Sequence, residues 1–192
     1  MKRAVIVALT LAFAAAGFTP AGHAHAQARK LKVHISVDME GIAGVVSPEQ
    51  LGPPGFEYGR FREFMTREAL AAVQAAKAAG ATEIVVADSH GNGQNLLIEQ
   101  FPPDVKVIRS WPRRLGMMAG VDGAVDAAIF IGYHAGTNNS TGVRAHTFSS
   151  ATLTRVAING VNVTEARGTR RSPVSTTSRS SWCRETMRPL PK

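Results

Sequence analysis

The middle of the chain alternates between two hydrophobic periods. Residues 32–38 alternate apolar and polar side chains, as a strand with one buried face does. Residues 58–79 repeat apolar side chains every three or four positions, which predicts a long helix that ends at Gly80. Short apolar and β-branched runs predict three further strands, at residues 83–87, 105–108 and 127–133.

The last pattern of this body predicts a hairpin. Residues 153–158 and 161–164 flank Asn159-Gly160, a pair that favours a type I′ turn. The earlier strands alternate with helical segments, and that order predicts parallel pairing through right-handed crossovers. We therefore predict an α/β fold, with a mostly parallel sheet between helices on both faces (three layers).

The first 26 residues predict a cleavable signal peptide. Lys2 and Arg3 precede an apolar run over residues 4–18, and residues 24–26 (Ala-His-Ala) have the form of a cleavage site. The alternative, a membrane anchor, needs about 20 apolar residues, and this run is shorter. We expect cleavage after Ala26, which leaves a periplasmic or secreted protein without a stable membrane anchor.

Charge is distributed unevenly along the chain. The 192 residues have a formal net charge of +8, which is typical of proteins that bind nucleic acids or membranes. Residues 27–165, however, contain 13 basic and 13 acidic side chains, so the excess lies in the two ends. The body lacks a basic surface for a phosphate backbone, and we predict no nucleic-acid partner. The single cysteine, Cys183, excludes a disulfide framework and a cysteine-rich zinc module.

Acidic and imidazole side chains collect where the predicted strands end. Asp38 and Glu40 follow the first strand, His90 the second and His134 a later one, while Glu165 follows the hairpin. Ligands of open parallel sheets bind beyond the carboxyl ends of the strands, so we expect these residues along one edge. Taken singly, each is more typical of a cap, a turn or a solvated loop. Together, carboxylates and imidazoles without thiolates suit zinc, manganese or a similar divalent ion.

Several short motifs carry a family resemblance. Residues 36–44 read S-V-D-M-E-G-I-A-G. The other motifs are M-T-R-E-A at 65–69, D-S-H at 88–90, N-L at 95–96, G-Y-H-A at 132–135, G-V-x-x-H at 142–146, and I-N-G at 158–160 before Glu165. The set spans about residues 31–165 and resembles the DppA-type D-aminopeptidases, a family of zinc metallopeptidases.

The resemblance implies a role for six residues. Five would be ligands of two zinc ions per subunit, with one carboxylate bridging the metals: Asp38, Glu40, His90, His134 and Glu165. His146 would be the catalytic residue, acting beside a metal-activated water. The implied substrates are short peptides with a D-amino acid at the free amino end, such as D-Ala-D-Ala. The implied assembly is a self-compartmentalising ring of identical subunits.

A second class of function would use the same residues. A periplasmic module that binds metal or peptide without turnover would present the same edge of the sheet. The two classes differ at His146. In the enzyme, loss of His146 leaves zinc bound and abolishes hydrolysis, whereas in a binding module it changes neither binding nor any activity.

Residues 166–192 depart from the resemblance. The family would continue with a helix, a buried strand and a Gly-Asp-Asp motif, but here a basic tail rich in Ser, Thr and Arg follows. One interpretation is a disordered tail. The other is a frameshift near 166–168, because codons compatible with 174–192, read two bases along, encode L-Y-D-V-P-V-V-L-V-S-G-D-D. We predict the frameshift. The metallopeptidase domain (27–165) would then be incomplete at its C-terminus. Because the buried sheet would lose a strand and its covering helix, we predict that the chain is inactive.

Overall fold

The computed structural model describes residues 30–121 and 125–170. The predicted signal peptide and residues 171–192 of the predicted tail lie outside this part of the chain. The elements are β1 (Leu31–Val37), α1 (Tyr58–Ala78), β2 (Ala81–Asp88), β3 (Val105–Ile108), β4 (Ala127–Ile131), β5 (Ala157–Ile158), β6 (Val161–Asn162) and α2 (Glu165–Arg170). Among these helices, none combines the length and apolarity that crossing a membrane requires.

Four strands form a parallel sheet in the order β3-β2-β1-β4. In its register, Val37 of β1 lies opposite both Asp88 of β2 and Ile131 of β4. These three neighbouring strands therefore end at the same level, and the residues that follow them share one edge of the sheet. The predicted α/β class with a parallel sheet is confirmed.

One face of the sheet is apolar because the side chains of β1 alternate. Val33, Ile35 and Val37 are buried in the core against α1. The helix contributes side chains three or four positions apart, as predicted: Phe61, Met65, Ala69, Val73 and Ala76. Gly80 follows the helix with a φ of 92° and ends it, because a residue without a Cβ adopts this left-handed conformation at no steric cost.

The opposite face of β1 carries polar side chains. His34 is fully buried, and its Nε2 lies 3.0 Å from the carbonyl oxygen of Ala119. The hydroxyl of Ser36 lies 3.2 Å from the carbonyl oxygen of Met117. A short 3-10 helix, Gly116–Met118, and the residues after it therefore cover this face and contact Nε2 of His34 and the hydroxyl of Ser36.

Three predicted strands are longer than the observed ones. β4 ends at Ile131 because Gly132 has a φ of 67°, which turns the chain out of the sheet. In the hairpin, only two residues of each predicted strand pair. Asn159 and Gly160 have φ values of 50° and 80°, the positive values that a type I′ turn requires. Glu165 follows the hairpin and begins α2.

Candidate metal centre

The predicted site residues meet where the order of the strands reverses. β2 and β3 lie on one side of β1 and β4 lies on the other, and open parallel sheets bind ligands at such a point. Asp38 is the first residue after β1. His90 is the second residue after β2, and His134 is the third after β4. The structure brings all six predicted residues together: Asp38, Glu40, His90, His134, His146 and Glu165.

Two glycines allow the turns after β1 and β4 to approach each other. The backbone N–H of Gly41 donates to the carbonyl oxygen of Gly132 at 2.7 Å. A Cβ on Gly41 would overlap the carbonyl oxygen of Tyr133, and a Cβ on Gly132 would overlap that of Asp38. Glycine at both positions therefore brings the acidic turn next to the strand end that carries the G-Y-H-A motif.

The first group of side chains joins the ends of β1 and β2. The Nδ1 of His90 lies 2.9 Å from Oε2 of Glu40 and 3.3 Å from Oδ1 of Asp38. The same Oδ1 accepts a hydrogen bond of 2.8 Å from the backbone N–H of Met39. Asp38, Glu40 and His90 each offer one ligand atom within 4.8 Å of the other two, so the three can hold one metal ion.

The second group shares Asp38 with the first. The Nε2 of His134 lies 3.5 Å from Oδ2 of Asp38 and 3.3 Å from Oε1 of Glu165. The carboxylate of Glu165 is oriented by the backbone N–H of Phe148, which donates to Oε1 at 2.6 Å. Asp38 thus directs one oxygen toward each group.

His146 lies beside both groups and is the most open of the three imidazoles. Its Nε2 is 3.4 Å from Oε1 of Glu165 and 3.8 Å from Oε1 of Glu40. Its ring stacks on that of His134 with a centroid separation of 4.0 Å. Its side chain is 14% exposed, against 1% for His134. Glu40, His134 and His146 also satisfy the distance limit for one ion, so the geometry admits His146 as a ligand or as a neighbour of the ions.

The three histidines of the site are each held by a backbone carbonyl oxygen. The contact is made by the outer ring nitrogen, the one that points away from the carboxylates, whereas the inner nitrogen faces them. The contacts are His90 Nε2 to Leu51 O at 2.7 Å, His134 Nδ1 to Ala135 O at 3.0 Å and His146 Nδ1 to Arg144 O at 2.9 Å. A carbonyl oxygen only accepts, so each outer nitrogen carries a hydrogen. In the neutral ring, the lone pair of the inner nitrogen then faces the carboxylates. Metal-binding histidines are oriented by hydrogen bonds of this kind.

Two buried atoms of the site have no hydrogen-bond partner. They are Oδ2 of Asp38 and Nε2 of His134, which face each other across 3.5 Å. A buried polar atom without a partner costs about 1–3 kcal/mol, and a shared cation removes that cost for both. Two ligands about 2.1 Å from a tetrahedral zinc ion lie about 3.4 Å apart, which matches this spacing. The residues therefore fit zinc.

Without a metal, protons compensate the carboxylates. Burial alone would lower the pKa of His90, but the hydrogen bonds and charges of Asp38 and Glu40 raise it to about 10. Burial opposes the charged form of His134 as well, and Glu165 and Asp38 raise its pKa to about 9. Burial and the nearby carboxylates raise the pKa of Asp38 to about 8. The site thus attracts positive charge, as a metal site must.

Two supporting residues were not among the predicted site residues. Both oxygens of Asp88 accept hydrogen bonds, from the backbone and side-chain amides of Asn95 and from the backbone of Leu96, at 2.6–2.8 Å. Asn95 in turn donates to the carbonyl oxygen of His90 at 2.7 Å. Together they fix the loop that carries His90. The signal was present in the D-S-H and N-L motifs, but their spacing alone does not show the contact.

Known proteins with similar sequence and structure are D-aminopeptidases. The D-aminopeptidase of Bacillus subtilis is 35% identical over 116 residues, which are 60% of this chain and 42% of that protein. The solved structure of the Zn-dependent D-aminopeptidase DppA from Bacillus subtilis, described as a self-compartmentalizing protease, matches with a TM-score of 0.64 and 33% identity. That match covers 70% of this chain and 48% of the other, so the chain spans less than half the length of both relatives.

The family assignment rests on the body of the chain. A family model described as D-aminopeptidase matches residues 31–169, which include every residue of the candidate centre. The resemblance stated from the motifs is confirmed by this match and by the two relatives. The chain therefore belongs to the D-aminopeptidase family.

Proposed function

We propose that the protein is a zinc-dependent aminopeptidase that removes a D-amino acid from the free amino end of short peptides, such as D-Ala-D-Ala. One observation carries this proposal: two groups of ligand atoms share Asp38, and their spacing fits zinc. The family membership and the zinc dependence of the Bacillus subtilis relative support it.

Five side chains would hold two zinc ions. Asp38, Glu40 and His90 would bind one ion, and Asp38, His134 and Glu165 would bind the other. Bound zinc supplies Lewis acidity, which makes water nucleophilic at neutral pH and polarises the carbonyl of the peptide bond. The chain itself supplies fixed ligand positions, because every carboxylate and imidazole of this set is buried.

His146 is the proposed catalytic residue. Hydrolysis breaks the peptide C–N bond, and the leaving amine must gain a proton that the attacking water gives up. The His146 side chain is partly exposed and its Nε2 lies beside Glu40 and Glu165, while the carbonyl oxygen of Arg144 holds the opposite nitrogen. We therefore assign to Nε2 of His146 the transfer of this proton.

The proposal is tested by His146→Ala in a protein whose reading frame is restored after residue 166. We expect bound zinc to persist and release of D-alanine from D-Ala-D-Ala to be abolished. The matched control is His34→Gln, which replaces a buried histidine of β1 that lies outside the six residues. Unchanged hydrolysis in His146→Ala would contradict the assigned role. Zinc binding without hydrolysis in the unsubstituted protein would favour the binding module.

The proposal extends to assembly and location. The relative's description as self-compartmentalizing supports a ring of identical subunits, and native mass measurement tests it. Lys2, Arg3 and the apolar run that ends before Ala26 support export to the periplasm or the medium. Amino-terminal sequencing of the exported protein should begin at Gln27.

The frameshift stays a prediction about residues 166–192. Sequencing the encoding DNA across codons 155–192 tests it directly. An added or missing base relative to an intact copy is the expected result. For the 192-residue chain as written, we expect no hydrolysis, and zinc-dependent release of D-alanine by the purified chain would contradict that expectation.

A further inference from the structure

Three hydroxyl groups form a cluster at the ends of β1, β2 and β4. The Oγ of Ser36 lies 2.7 Å from Oγ of Ser89 and 2.7 Å from the hydroxyl of Tyr133. Ser36 is a residue of β1, Ser89 follows β2 directly, and Tyr133 is the second residue after β4. Ser36 is fully buried and Ser89 is 3% exposed. One contact network therefore joins the ends of three strands.

The hydrogens of the cluster can all be placed. In one arrangement that these contacts allow, the hydroxyl of Tyr133 donates to Ser36, Ser36 donates to Ser89, and Ser89 donates to the carbonyl oxygen of Met117 at 3.3 Å. Ser36 itself lies 3.2 Å from the same carbonyl oxygen. The chain of donors thus ends on the 3-10 segment that covers this face of the sheet. A buried network in which every donor has an acceptor holds its members in one arrangement.

Each hydroxyl belongs to a residue one or two positions before a proposed ligand. The pairs are Ser36 with Asp38, Ser89 with His90, and Tyr133 with His134. Backbone contacts also join the strands at this level, because Asp38 donates to Ile131 and Ser89 donates to Val37 at 2.8 and 2.7 Å. Beyond this level the chain leaves the strands. The hydrogen bond from Gly41 to Gly132 joins the turns after β1 and β4, but regular strand pairing no longer fixes the spacing of the ligands.

We propose that Ser36, Ser89 and Tyr133 are positioning residues, whose hydroxyl cluster sets the distances among Asp38, His90 and His134 for zinc binding. The inference rests on the metal site of the proposed function. Zinc tolerates errors of only about 0.2 Å in its ligand distances, so a small shift between strand ends weakens binding. The cluster acts through the backbone and touches neither metal nor substrate.

The test measures zinc binding by the full 192-residue chain, by competition with a chromophoric chelator. Tyr133→Phe removes one hydroxyl and keeps the ring, and Ser89→Ala removes another with little loss of volume. We expect about a 10-fold to 100-fold loss of zinc affinity, the range found when supporting partners of metal ligands are removed. We also expect a changed cobalt absorption spectrum in the cobalt-substituted variants, because that spectrum reports ligand geometry.

A matched control separates positioning from stability. Thr66 is also fully buried, and its hydroxyl bonds Arg62 and Leu97 on the α1 side of the sheet. Thr66→Val should lower the urea midpoint of the metal-free chain and leave zinc affinity unchanged. Ser89→Thr keeps a hydroxyl and should restore most of the affinity that Ser89→Ala loses. Tyr133→Phe combined with Ser36→Ala should lose less affinity than the sum of the two losses, because the groups act together.

The outcomes separate the two proposals. If the unsubstituted chain binds no zinc, the zinc site of this chain is refuted and this inference with it, whereas the proposed function is tested separately by hydrolysis in the frame-restored protein. If the chain binds zinc and Ser89→Ala and Tyr133→Phe bind it as tightly as Thr66→Val does, the inference alone is refuted. Ser89→Ala, the smaller change, decides the matter if Tyr133→Phe does not fold.

Discussion

Zinc affinity should rise steeply with pH, because protons occupy the site when zinc does not. In the metal-free chain, the pKa values of His90 and His134 are raised to about 10 and 9. Both rings therefore hold an extra proton from pH 6 to pH 8, and each must lose it before its inner nitrogen binds a metal. Loading both ions displaces both protons, so the overall affinity for the two ions changes by about 100-fold per pH unit, or about 2.7 kcal/mol.

The stability of the metal-free chain should change in the opposite sense. The raised pKa values mean that the folded state binds protons at His90 and His134 more tightly than the unfolded state does. Their contribution is complete below the unfolded value of about 6.5 and is lost as the pH rises through about 9 to 10. The carboxyl of Asp38, with a pKa raised to about 8, acts in the same direction between its ordinary value and pH 8.

Calorimetric zinc titrations in two buffers of different ionisation enthalpy count the released protons. At pH 7 we expect about two from the histidines, with up to one more from Asp38. His134→Gln should lower the count by about one. His34→Gln should not change it, because burial lowers the pKa of His34 and keeps that ring neutral. Zinc affinity that is constant from pH 6 to pH 8, with no proton release, would refute this account of the site.

Four substitutions, one of them a control, test the surrounding structure. Asp88→Asn leaves one hydrogen bond to Asn95 or Leu96 without an acceptor, and should cost about 1–3 kcal/mol in urea unfolding and weaken zinc binding. Gly41→Ala introduces a Cβ against backbone and should cost about 1–3 kcal/mol or more, whereas Gly59→Ala on open helix surface should be neutral or stabilising. Met65→Ala should cost about 2–5 kcal/mol, because Met65 is fully buried between α1 and the sheet; a change below 1 kcal/mol in the unfolding free energy would contradict that packing.

The elements predicted well are those with strong local signals. The spacing of apolar residues and Gly80 identified α1 within one residue at its end, because packing against the sheet selects that period. The hairpin strands were predicted too long. Leu153 and Val161 are 37% and 46% exposed, so their alternation does not reflect a buried face. β4 ends at a backbone turn at Gly132, and the hydrophobic pattern of residues 127–133 does not indicate that turn.

The residues of the candidate site were also predicted only in part from local patterns. Asp38, His90 and His134 were predicted because they follow strands directly, and parallel strands place such residues on one edge. The positions of His146 and Glu165 depend on a long connection after β4, and only the resemblance pointed to the role of His146. The hydroxyl cluster could not be predicted, because it depends on the register of three strands that are distant in sequence.

The carbonyl contacts of the three imidazoles have a consequence for the rate of metal uptake. Each ring is clamped by a different peptide group, of Leu51, Ala135 or Arg144, so its orientation exists before an ion arrives. Little rotamer entropy remains to be lost on association. The rate of metal uptake is then limited by the loss of protons from the rings and of water from the ion. An ion that dissociates can rebind to rings that have kept their orientation.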